Sequence, residues 1–121
     1  MAIGYALQRE QFGHPIASFQ TIQHMCADAQ IALEGARSAL YYATWAQAED
    51  AREFPLAASA AKVACSEAFL SAAAMNIQVH GTIGYTLEHK AQLYYRRAKW
   101  SQLYGGPPSY HRARIADLLG I

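Results

Sequence analysis

The stretch whose reading decides the fold is FQTIQHMCADAQIALEGARSALYYATWAQAED, Phe19 to Asp50. Within it Ile22, Cys26, Ala29, Leu33, Ala36, Leu40 and Ala43 recur at steps of three or four. That spacing draws one apolar stripe along a single amphipathic helix. Ser18, just ahead of the pattern, is the predicted N-cap, because its hydroxyl can accept from the first free amides. At the usual rise per residue the helix is roughly 45 Å long. A compact domain of 121 residues has no use for such a helix alone, so it needs partners along its length.

Those partners are predicted on both sides. Pro55 suits a first helical turn, and an alanine-rich segment from Leu56 to about Val79 carries Ala60, Val63, Ala64, Ala68, Ala72 and Met75 on related faces. Gly81-Thr82-Ile83-Gly84-Tyr85 stops it. A shorter helix is expected from about Glu88 to Leu103, then a break at Gly105-Gly106-Pro107-Pro108, then a last helix from Ser109 to Leu119. Ahead of the long helix, MAIGYALQREQ reads as the final turns of another helix, halted at Phe12-Gly13-His14-Pro15. No strand alternation or repeat is seen. The prediction is an all-α, up-and-down helical bundle of the four-helix type, one domain over residues 1–121.

Composition narrows the partners. The chain is 53% hydrophobic and 16% charged, with a net charge of +1, so no general attraction to nucleic acid or anionic lipid is expected. No apolar run is read as reaching the ~18 to 20 residues of a membrane span. Cys26 and Cys65 each sit in a helical pattern and read as small core residues in a reducing compartment, which makes a cytoplasmic location the expectation.

Several chemistries find little support. His14, His24, His80, His89 and His111 show neither HxxxH nor HExxH spacing, and no Cys–His cluster accompanies them. GTIGY follows no strand and is not a phosphate loop. YYRRAKW mixes Arg96, Arg97 and Lys99 with aromatic rings, as single-strand nucleic-acid binders do, but near-zero net charge favours a solvated helix face. Two segments carry more. REQFGHPIASFQ sets Arg9, Phe12 and Gln20 around a Gly-X-Pro turn, and a guanidinium, an aromatic face and a carboxamide can hold a dinucleotide's pyrophosphate and base. QVHGTIGYTLEH sets Gln78 at a helix end beside two glycines, which let backbone approach a ligand closely. On residues alone, either segment also serves as a plain connector.

Taken together and in this order, these segments resemble the C-terminal helical domain of the acyl-CoA dehydrogenases. The family pattern R-x-x-F-G-x-P-[IL]-x-x-x-Q matches Arg9 through Gln20. The pattern Q-x-x-G-G-x-G-[YF]-x-x-E matches Gln78 through Glu88 apart from Thr82, which replaces the second glycine. YYRRAK is similar to the family's [YL]-x-R-[DR]-A-K. The resemblance implies FAD shared across a subunit interface, with Arg9 at the pyrophosphate and Phe12 and Gln20 on the adenosine side. Gln78 and the backbone at Gly81 and Thr82 would complete the clamp. It also implies an acyl-CoA substrate, an oligomer, and an N-terminal helical and a middle β domain outside these residues. Alone, the chain is expected to lack dehydrogenase activity, to bind FAD weakly or not at all, and still to self-associate.

The family reaction takes a proton from the carbon alpha to a thioester, and in many members the base is the Glu of a Y-E-G-[TS] segment. Counted from Gln78, the family distance to that Glu ends at Gly105 (105 − 78 = 27). Tyr104 and Gly106 match its neighbours, and Pro107 stands where Thr or Ser usually contacts the flavin. Tyr104 and Gly105 would line the substrate pocket, but glycine cannot take a proton. Glu88 matches a Glu of ordinary active members and Asp117 lies far along the last helix, so both are poor substitutes. Three readings follow. The chain belongs to a non-catalytic subunit beside a catalytic relative, or to an active enzyme whose base lies on the preceding helix. The third is a flavin monooxygenase or a non-enzymatic interaction bundle of the same fold.

Overall fold

The computed structural model describes residues 1–121. Five α-helices follow one another: α1 (Ala2–Gln8), α2 (Gln20–Glu49), α3 (Phe54–His80), α4 (Lys90–Leu103) and α5 (Pro108–Leu119). α2 and α3 form the long pair, joined by a short turn in which the Asp50 carboxylate accepts from the amides of Arg52 and Glu53. α3 is the hub, packed against α1, α2, α4 and α5. The all-α, up-and-down arrangement is as predicted.

Alanine sets the packing. Ala43 and Ala46 of α2 meet Ala57 and Ala61 of α3 in one buried cluster. A second cluster joins Ala2 and Ala6 of α1 to Val79 of α3 and to Ile16. Side chains this short let helix backbones approach closely, and they lose no rotamer freedom on burial. Two polar ties fix α3 to the C-terminal helices: Lys62 donates to the Ser101 carbonyl in the last turn of α4, and Arg112 of α5 pairs with Glu67 at 2.6 Å.

Four expectations change. The predicted stripe on α2 is only partly buried: Ala36 and Ala43 face the core, while Leu33 and Leu40 are 46% and 50% exposed. These leucines, with Cys26 and Ala29, line an apolar groove of about 520 Å³ against Phe69 and Ala72 of α3. Ser18 is not the N-cap of α2. Phe19 takes that place, and the Ser18 hydroxyl donates back to the Pro15 carbonyl inside a single 3-10 turn, Ile16–Ser18. Strands do exist, as a minimal hairpin of β1 (Glu10–Gln11) and β2 (His14–Pro15), paired antiparallel with Gln11 opposite His14. Finally, the segment Phe54–Tyr85, α3 and the turn after it, is long and apolar enough to cross a membrane by length and composition, with a mean hydropathy of 1.2. Alanine supplies much of that hydropathy, and in this fold the helix is the bundle's centre.

Candidate cofactor cleft and base loop

The hairpin turns on Phe12 and Gly13, both with positive φ (55° and 81°). Two consecutive positive φ values in a two-residue loop define a type I′ turn, usually filled by Asn-Gly. A phenylalanine at the first position is out of its preferred backbone region, and such outliers concentrate at functional sites. Its ring is 89% exposed and is set edge to face on Phe19 at 6.3 Å between centroids. The fold holds an aromatic face out to solvent.

Beside the hairpin lies a cleft of about 380 Å³, bounded by α1, the start of α2 and the end of α3. Arg9, Gln78, Gly81 and Thr82 all line it. Arg9 is the C-cap of α1, with its carbonyl accepting from the Ile16 amide at 2.8 Å. Its guanidinium has no protein carboxylate or carbonyl partner, so its donors remain available to an anion. Gly81 ends α3 at φ 64°, ψ −143°, a conformation essentially reserved for glycine. Thr82 keeps a negative φ, since Phe12 is the sole non-glycine residue with a positive one. A β-branched residue therefore sits there without strain. Gly84 serves packing rather than a ligand: a Cβ there would meet the Ile77 carbonyl oxygen at 2.7 Å.

Tyr5 and His80 are among the lining residues of this cleft that sequence reasoning missed. His80 is buried, stacked on Tyr5 with ring centroids 4.4 Å apart and tilted against His89 at 4.5 Å. Its Nδ1 donates to the Asn76 carbonyl at 2.7 Å. No three His, Cys, Asp or Glu side chains gather as a metal site would require. The Cys65 thiol is pushed up in pKa by burial, opposed by Lys62, and lies 3.5 Å from the Ala36 carbonyl.

The break before α5 has a defined shape. Tyr104 at φ −64°, ψ 127° and Gly105 at φ 74° are the two central residues of a type II turn. The turn is closed by the Gly106 amide on the Leu103 carbonyl at 3.2 Å. That turn type demands a positive φ at its third position, so Gly105 suits the backbone. Around its Cα there is open space: a Cβ would find no atom within 4 Å. Tyr104 is exposed beside it. Glu88 and Asp117 are both solvent-exposed, and neither side chain takes part in a hydrogen bond or ion pair near the turn.

Residues 1–120 match the acyl-CoA dehydrogenase C-terminal domain. The chain belongs to the acyl-CoA dehydrogenase family. It is 38% identical over 121 residues to the 3-sulfinopropanoyl-CoA desulfinase of Paraburkholderia xenovorans, covering 98% of this chain and 30% of that protein. Among solved structures, an FAD-dependent dehydrogenase superposes with a TM-score of 0.94 at 36% identity, over 99% of this chain and 32% of the other. The ChsE4-ChsE5 complex of Mycobacterium tuberculosis gives 0.91 at 32% identity, over 99% and 32%. The chain thus spans about a third of the length of these relatives. Of the residues assigned to the cofactor by acyl-CoA dehydrogenase likeness, the fold gathers Arg9, Gln78, Gly81 and Thr82 in one cleft. Phe12 and Gln20 stand outside it, Phe12 on the hairpin tip and Gln20 exposed at the first turn of α2.

Proposed function

We propose that this chain is the C-terminal domain of a non-catalytic subunit in a heteromeric acyl-CoA dehydrogenase, lending its cleft to the FAD of a catalytic relative. The observation that carries the reading is the type II turn at Tyr104–Gly105: the place of the family's base holds a glycine whose backbone angle suits glycine. The partner-free guanidinium of Arg9, the glycine-shaped end of α3 and the projecting Phe12 ring fit the far half of a dinucleotide. Arg9 would pair with the pyrophosphate, and Gln78 and the backbone at Gly81 and Thr82 would close around it. Phe12 and Gln20 would meet the adenosine side from outside the cleft. When bound, FAD supplies the hydride acceptor of the family reaction. Tyr104 and Gly105 would form an uncharged wall of the acyl-CoA pocket. The structural likeness to a two-component complex, ChsE4-ChsE5, supports the heteromeric assembly.

Native mass spectrometry of the full-length protein from its own cells, with flavin counted per assembly, tests this reading. A mixed assembly with one flavin for every two chains is expected. A homo-oligomer with one flavin per chain sinks the reading and moves the base to the preceding helix. Gly105→Glu in the full-length protein is a second arm. It places a carboxylate in open space at a strain of about 1–2 kcal/mol for the positive φ, and gain of dehydrogenation would show that only the base was missing.

A second reading is favoured by the 38% identity to a desulfinase. Removing a sulfino group from the β carbon of a thioester exchanges a C–S bond for C–H and releases sulfite after water adds. Its net equation takes no α proton, so a loop without a base is compatible with it. Sulfite release from a 3-sulfinoacyl-CoA without enoyl-CoA formation would favour this reading over the first.

A further inference from the structure

His111 is the one buried imidazole in α5, 8% exposed. Its Nε2 lies 3.0 Å from the Gly105 carbonyl oxygen. A carbonyl only accepts, so Nε2 must carry the proton. Nδ1 is buried with no hydrogen-bond partner within the chain. A proton there would be a buried donor without an acceptor, worth roughly 1–3 kcal/mol against it. The hydrogen bond therefore assigns the proton to Nε2 and leaves Nδ1 without a partner. Gly106 closes over the ring, at φ 108°, where a Cβ would meet the Tyr110 ring at 2.7 Å and His111 Nε2 at 3.2 Å. Tyr110 packs edge-on to the imidazole, with centroids 5.1 Å apart.

We propose that His111 is the positioning residue of the loop before α5, holding the Gly105 carbonyl inward through Nε2–H. The Gly105 carbonyl is then withdrawn as an acceptor from the family's base position. This rests on reading the loop as the one that carries the base in relatives. It adds that a specific hydrogen bond sets where the Gly105 carbonyl points, beyond the loss of a carboxylate. The Lys62 bond to Ser101 anchors the other flank of the same loop, so the turn is pinned from α3 and from α5. A substrate group placed against it meets no carboxylate and no free Gly105 carbonyl.

The test is NMR on the 121-residue chain with labelled imidazole nitrogens, at neutral pH. His111 is expected as a single tautomer protonated at Nε2, and a ring protonated at Nδ1 overturns the proposal. Exchange of the Gly106 amide supplies the second readout. His111→Gln keeps an N–H donor at a similar reach and should leave that exchange within about threefold of the parent, whereas His111→Asn is too short and should speed it roughly tenfold, the equivalent of one hydrogen bond. Equal rates in the two variants would also overturn the proposal. If the Asn variant does not fold, the tautomer of the parent protein still decides. Gly105→Glu in the full-length enzyme tests the base reading separately, and its failure leaves both NMR readouts untouched.

Discussion

Phe12 pairs an unfavourable backbone angle with an exposed ring, and neither feature stabilises the isolated chain. Asparagine takes the first position of a type I′ turn readily, so Phe12→Asn should raise the Tm of this chain by a few degrees, corresponding to about 1 kcal/mol of relieved strain. In the full-length assembly the same change should weaken FAD retention, measured by flavin release on dilution. A variant that is both more stable and undiminished in flavin affinity would show that the ring has no cofactor role. Much at this scale could be read from single residues: the break at Gly105 follows from its glycines and prolines, and the motifs name Arg9 and Gln78, which the fold brings to one cleft. The positive φ of Phe12 could not be read, because phenylalanine carries no turn preference that would announce it. Nor could His80 and Tyr5, which meet only when α1 lies against the end of α3.

Among the elements, the junction after α3 depends on two glycines for different reasons. Gly81 supplies a backbone angle, while Gly84 gives the short 3-10 turn Gly81–Tyr85 room to lie on α3. Gly84→Ala should destabilise the chain by about 1–3 kcal/mol through overpacking, read as a lower urea midpoint, and should distort the side of the cleft formed by Gln78 and Thr82. An unchanged midpoint would mean that the turn can lift from α3 at little expense. The long elements were legible because α2 and α3 keep a 3.6-residue rhythm over many turns and are stopped by proline and glycine. The hairpin was not, since two residues per strand leave no alternation to detect. Ser18 misled for a related reason: a short hydroxyl side chain suits a helix N-cap and a 3-10 turn alike, and here it bonds the Pro15 carbonyl.

For the whole molecule, surface area is the telling quantity. A compact monomer of 13.3 kDa exposes about 6,500 Å², whereas this chain exposes 8104 Å². The excess, roughly 1,600 Å², is about twice the ~800 Å² that one partner contributes to a standard protein–protein interface. Leu33, Leu40, Tyr41 and Trp45 on α2 and Leu93, Trp100 and Leu103 on α4 are all at least 46% exposed, which is large for apolar side chains. The chain should therefore self-associate at micromolar concentration, seen as a mass above 13.3 kDa by light scattering. A monodisperse monomer across that range would contradict this. The α2 stripe, whose burial the structure only half delivers, is part of this open apolar surface.

Apart from Ile16, Ile77 and Val79, the buried apolar residues are all alanine, and this shapes how the chain responds to heat. Little apolar surface leaves water on folding, and the heat-capacity increment of unfolding scales with that surface. The stability curve of the lone chain should then be flatter than usual for its length, with weak cold sensitivity and a shallow, broad melt. Assembly would hide the leucines and aromatic rings and restore the curvature, so that calorimetry on the two states would read the same helices as two thermodynamically different materials.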